Sequence, residues 1–163
     1  MLGGGQRSVR HLVVPALLVR LIGKGRWKHP GVAAFAQVAP WFGDPLDFLG
    51  DVEDMERQSR ALDRLVDDDE AARLFHLARP RLPADTAGLP WLDVEQAHFI
   101  AVSERVGDDT AIALDYRTDR ADPSVVGSDI WTVPGQYHWR TISPTFSAFT
   151  AALGIDDPGR TSK

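Results

Sequence analysis

Two hydrophobic periods divide this chain. Up to about residue 90 the apolar positions recur every three or four residues, as on one face of a helix. From residue 91 onward they tend to alternate, as along a half-buried strand. In the first part, Val9, Leu12, Val13, Ala16, Leu17 and Leu21 predict an amphipathic helix over Arg7–Ile22, kinked at Pro15. Pro30 opens a second helix through Val32, Phe35 and Val38, closing near Pro40. Gly43-Asp44-Pro45 is a turn inside the apolar cluster Trp41, Phe42, Leu46, Phe48 and Leu49. Asp51 is placed to cap a third helix, its carboxylate accepting from amide groups that lack a partner. The packing seam of that helix is Val52, Met55, Leu62 and Val66, with Ser59 at the missing position. Glu53–Arg57 and Glu56–Arg60 are spaced to pair on its outer face, at about 0.2–0.5 kcal/mol each. A fourth helix follows Asp67-Asp68-Asp69-Glu70, with Ala71, Leu74, Phe75 and Ala78 on one stripe.

Residues 79–90 read as a loop, with Pro80, Pro83 and Pro90. Ala97–Glu104 and Thr110–Tyr116 then read as a hairpin turning at Val106-Gly107-Asp108-Asp109. In its second strand Ile112, Leu114 and Tyr116 share the bulky face, which suits contact with helices, and Ala111, Ala113 and Asp115 share the other. Val125–Val133 and Tyr137–Ile142 are further strands joined at Pro134-Gly135. Ser143 as cap, Pro144 as first residue, the stripe Phe146, Phe149 and Leu153, and Gly154 as terminator predict a closing helix. Helices, then strands, then a helix define an α+β fold: a helical N-terminal half packed on a mostly antiparallel sheet and closed by a C-terminal helix.

Charge changes this picture more than bulk composition does. The net charge of the 163 residues is −5, unevenly spread. Residues 1–30 hold six bases and no acid; residues 44–70 hold eleven acids against three arginines. Nucleic-acid binding needs a basic face, so no nucleic-acid partner is expected. The acidic block suits a basic protein partner. The basic N-terminal stretch is interrupted at Arg20 and lacks a small-residue cleavage site, so it reads as a packing arm and not as a signal peptide. It is also too short and too charged for stable membrane insertion. The absence of cysteine excludes disulfides, thiolate zinc sites and thiol catalysis, and fits a cytoplasmic setting.

Catalytic patterns are lacking. Gly23-Lys24-Gly25 has neither the spacing nor the strand context of a phosphate-binding loop. The five histidines are scattered, and the acids at 67–70 read as helix-capping groups, so neither a metal nor a cofactor is expected. Asp115, a carboxylate in an apolar strand, reads as a strand-end hydrogen-bonding group before a catalytic one. The five tryptophans read as core and interface residues.

The runs His98-Phe99-Ile100-Ala101-Val102 and Ile112-Ala113-Leu114-Asp115-Tyr116-Arg117 resemble the SUKH superfamily. So does Trp139-Arg140-Thr141-Ile142-Ser143-Pro144-Thr145-Phe146, followed by Phe149, Leu153 and Gly154. Within it the chain is most similar to the SMI/KNR family, named for regulators of cell-wall synthesis. The resemblance covers about residues 91–155. The helical half departs from the family's leucine-proline stretch ending in asparagine-glycine, with Trp41–Leu49 in its place. The resemblance implies an α+β fold with a central, mostly antiparallel sheet, no enzymatic activity and no shared catalytic residues. It also implies protein binding, in bacterial members often as immunity proteins that neutralise secreted nuclease or deaminase toxins.

The resulting expectation has three parts: an N-terminal arm or amphipathic helix over 1–25, a SUKH-like domain over 26–155, and a flexible tail over 156–163. The expected function is a non-enzymatic, immunity-type protein binder. The alternatives are a scaffold or regulatory interaction protein without a toxin partner, or a small-ligand-binding domain. Glu53, Asp54 and Asp63, on the outer face of the third helix, are the candidate partner-binding residues; failing them, the tryptophan-rich strands around Trp131 and Trp139 are the next surface.

Overall fold

A computed structural model describes residues 13–43, 45–59, 78–79, 92–93, 96–104, 110–117, 119–129, 131–132 and 138–155. Its elements are α1 (Ala16–Gly23), α2 (Val32–Val38), β1 (Leu46–Phe48), α3 (Val52–Ser59), β2 (Ala78–Arg79), β3 (Leu92–Asp93), β4 (Ala97–Ser103), β5 (Ala111–Asp115), β6 (Ser124–Asp129), β7 (His138–Ser143) and α4 (Phe146–Leu153). The main sheet runs β1-β4-β5-β6-β7, antiparallel at every pairing, and β2 and β3 form a separate parallel pair. The expected α+β architecture is therefore present, with a largely helical N-terminal part in which β1 of the main sheet lies between α2 and α3, and with a helix after the last strand.

Register assigns the faces. Ala101, Ile112, Gly127 and Arg140 lie in one row across four strands, so their side chains leave the sheet on the same side. Phe48, opposite Ala101, belongs to that side as well. Trp27 meets Phe48 at 4.6 Å and Phe146 at 5.8 Å between ring centroids, which brings α4 and the segment after α1 over this face. The bulky face of β5 thus meets helices, as the alternation predicts. The other face of β5 is not solvated either: all five of its residues are buried. Phe146 and Phe149 are fully buried in α4. Trp139 is also buried, but it neighbours Arg140 along the strand and so stands on the opposite face, where it aligns with Ser128.

Several boundaries differ from the sequence expectation. Residues 13–15 are not helical, and α1 begins directly after Pro15. Its core residues are Leu18 and Leu21, with Leu17 half-buried, so the buried stripe is rotated from the predicted one. The chain before α1 is tied down by Tyr116, whose hydroxyl donates to the Val13 carbonyl at 2.9 Å and is pushed up in pKa by burial. In α2, Phe35 is buried while Val32 is 84% exposed; a two-turn helix touching the core at its centre leaves its first residue outside. Ala78, predicted on a helical stripe, lies in β2. Arg79 precedes Pro80, whose ring drives the preceding residue out of the helical region, so this stretch extends.

Ser143 is not the cap of the last helix. It stays in register with Val125 at the end of β7, and Pro144, with no amide hydrogen, stops the ladder there. Thr145 caps instead, its hydroxyl accepting from the Ala148 amide at 3.1 Å. Asp122 adds a second tie, accepting from the Ser147 amide at 2.9 Å and from its hydroxyl at 2.6 Å. Gly154 closes the helix in the left-handed conformation, as predicted. The N-terminal half of the predicted first helix, the Leu62 and Val66 seam, the helix after Asp67, the 80–90 loop, the turns at 106–109 and 134–135 and the tail lie outside the described residues.

Candidate interaction surfaces

The acidic surface grows from α3. Asp51 caps it as expected, accepting from the Asp54 amide at 2.8 Å. Met55 and Ser59 face inward, and the Ser59 hydroxyl accepts from the Phe99 amide at 2.8 Å, fastening α3 to β4. Asp51, Glu53 and Glu56 are exposed and Asp54 is half-buried. Arg57 pairs with Asp54, one turn back, and not with Glu53 as the spacing suggested. Glu53 thus keeps its charge available on the surface while Asp54 is partly neutralised. Asp63 lies outside the described residues.

A second surface sits at the opposite edge of the sheet, and it was largely invisible in the sequence. Its centre is Asp129, at the end of β6 and fully buried. One oxygen, Oδ1, accepts from the amides of Trp131 at 2.9 Å and Thr132 at 3.0 Å, which turns the chain immediately after the strand. The other, Oδ2, accepts from Arg140 Nη1 at 2.9 Å, and the same nitrogen donates to the Thr132 hydroxyl at 3.1 Å. Burial by itself would raise the Asp129 pKa. The hydrogen bonds from Thr132, Arg140 and the Trp131 amide outweigh it and hold the carboxyl ionised, at about 2.

Arg140 is fixed on a second side by an aromatic plane: its guanidinium carbon lies 4.6 Å from the centroid of Trp41. Trp41 reaches the sheet because Gly127 leaves room for it. A Cβ at Gly127 would sit 3.0 Å from the Trp41 ring and 2.9 Å from the Ile142 side chain. Trp131 packs on Phe42 at 4.8 Å between centroids and lies against Gly43, where a Cβ would meet its indole at 2.8 Å. The 39–43 segment and the turn after β6 therefore interlock around two half-buried indoles and one half-buried arginine. Aromatic and arginine side chains held this way are the composition that concentrates binding energy in protein interfaces.

Of the two tryptophans named for the strand side, Trp131 lies on this surface and Trp139 is a core residue. The other members, Trp41, Asp129 and Arg140, carried one usable signal: an aspartate ending a strand three residues before a threonine, a common turn-forming arrangement. Asp115 is also accounted for. Buried at its strand end, it takes Arg117 Nε at 2.9 Å and Nη2 at 2.8 Å, a two-pronged local ion pair.

Among the described residues no group of three or more histidine, aspartate or glutamate side chains is gathered as for a metal ion, and no helix is long and apolar enough to cross a membrane. No family model, curated protein or solved structure matches the chain.

Proposed function

We propose that this chain is a non-enzymatic protein-binding domain of the immunity type, which neutralises a basic toxin domain in the cytoplasm. The observation that carries the reading is the division of labour in α3. Its packing uses Met55 and Ser59, while Asp51, Glu53 and Glu56 stay exposed on a helix fastened rigidly to the sheet. Charges held on a rigid element steer an oppositely charged partner, such as a nuclease whose active site faces phosphate. The α+β fold agrees with what the SMI/KNR resemblance implies.

The test is the association rate with a partner captured from the native source. Reversing Glu53, Asp54 and Asp63 to lysine is expected to leave the fold intact at a cost of about 1–2 kcal/mol, because Asp54 pairs with Arg57 and stands with Glu53 in the first turn of α3, where acids favour the helix N-terminus. Association is expected to slow by about tenfold or more, and added salt on the unaltered protein is expected to reproduce the effect. Unchanged association of the triple variant removes α3 from the interface.

A further inference from the structure

We propose that the Trp41–Trp131–Arg140 surface is a receptor for an acidic side chain of a protein partner, with the carboxylate on Arg140 and its apolar stem against the indole surface. This rests on the protein-binding reading and adds a second contact to it, of opposite charge preference to α3. The two surfaces are distinct. α3 is fastened to β4, next to the β1 edge, and Arg140 stands on β7, the other edge. Three strand spacings separate β4 from β7, about 14 Å.

The guanidinium carries the argument. Arg140 spends Nη1 on Asp129 and Thr132. Among the described residues nothing accepts from its Nε or Nη2, and its side chain is 41% exposed. Nε and Nη2 form the edge of a guanidinium that matches the two oxygens of a carboxylate. The edge is also held still, by Asp129 at one end and the Trp41 ring beneath, so little rotational freedom remains to be lost on binding.

The open guanidinium edge selects the occupant, and the charge already beside it favours the ligand of lower charge. Arg140 is already balanced by the buried Asp129 carboxylate, so the pair is close to neutral. A phosphate dianion would bring excess negative charge to a site with one cation and a fixed anion 2.9 Å from it. A carboxylate brings a single charge and two oxygens, matching the single open edge. The Trp41 ring beneath the guanidinium and the Trp131 indole in the adjoining turn are only half-buried, so a short aliphatic stem can cover apolar surface as it delivers the carboxylate.

The probe is a capped tripeptide, acetyl-leucyl-glutamyl-leucinamide, titrated into the isotope-labelled full chain while the Arg140 Nε–H and the Trp41 and Trp131 indole N–H signals are followed by NMR. The glutaminyl analogue and inorganic phosphate are the comparison ligands. The glutamyl peptide is expected to shift these signals saturably, and the glutaminyl peptide to bind at least about tenfold more weakly, the loss expected for a charge-assisted pair. R140K, which keeps the balancing charge but loses the planar edge, is expected to weaken the glutamyl response by about tenfold. Equal response to the two peptides, or a stronger response to phosphate, overturns the proposal. If R140K does not fold, the contrast between the two peptides on the unaltered chain decides alone. Peptide binding at Arg140 by a chain that captures no protein from its native source would support this site and refute the protein-binding reading. A captured partner that binds the folded R140K variant as tightly as the unaltered chain overturns the site and leaves that reading standing.

Discussion

Replacing Phe149 with alanine is expected to remove ~3–5 kcal/mol of folding stability, the range for truncating a buried aromatic ring. Phe149 is fully buried beside Phe146, with ring centroids 6.3 Å apart. The ring's removal leaves a cavity where Phe146 also reaches Trp27, so the damage extends from α4 to the segment following α1. Urea denaturation followed by circular dichroism measures the effect. A loss below about 1 kcal/mol would mean that α4 is peripheral to the core.

The second large effect is expected at Asp129. Asparagine is nearly the same size, yet it cannot offer two anionic oxygens to the Trp131 and Thr132 amides and to Arg140. Hydrogen bonds to charged groups contribute about 1.5–3 kcal/mol, and those of one carboxylate do not add independently, so D129N is expected to cost ~2–4 kcal/mol at neutral pH. The carboxyl is held at about 2 in the folded protein against an ordinary value of 3.8. Because the folded value is the lower one, the stabilisation is present above about pH 4 and fades as pH falls through about 2. That difference corresponds to about 2 kcal/mol. Denaturation series at pH 7, 4 and 2 are expected to show the gap between the unaltered protein and D129N shrinking at the acid end. A gap that stays constant across the series would show that the charge of Asp129 does not stabilise the fold.

Local periodicity made β4, β5 and the last helix legible, whereas β1 read only as an apolar cluster and β6 stops at Asp129, four residues before its predicted end. β4 and β5 fall within one residue of the predicted runs, because alternation and burial act on the same short stretch. The stripe of Phe146, Phe149 and Leu153 was readable for a similar reason, as was the Gly154 stop. Local pattern does not determine an element where distant partners decide it. Ser143 has the chemistry of a cap, yet pairing with Val125 keeps it in the sheet and passes the role to Thr145. Leu18 replaced Leu17 in the core because the burial of α1 is set by what it packs against and not by its own spacing.

The candidate sites divide along the same line. An acidic helix face shows in the sequence, since the caps, the seam and the charges all lie within one short segment. The pairing of Arg57 with Asp54 in place of Glu53 did not, being a choice between two acids within reach of one arginine. The Asp129–Arg140–Trp41 cluster joins residues from the end of one strand, the middle of the next and a segment 86 positions before Gly127. Only the sheet register and the space left by Gly127 bring them together.

Neutralisation of a captured partner tests the immunity-type reading most directly. The protein captured from the native source would be purified and its own activity assayed while this chain is titrated in. Activity is expected to fall linearly and to be abolished near one chain per partner molecule, and lysine reversal of Glu53, Asp54 and Asp63 is expected to slow the onset of that inhibition. A partner that binds tightly yet keeps its full activity in stoichiometric excess of this chain would contradict the immunity reading and make the chain a scaffold.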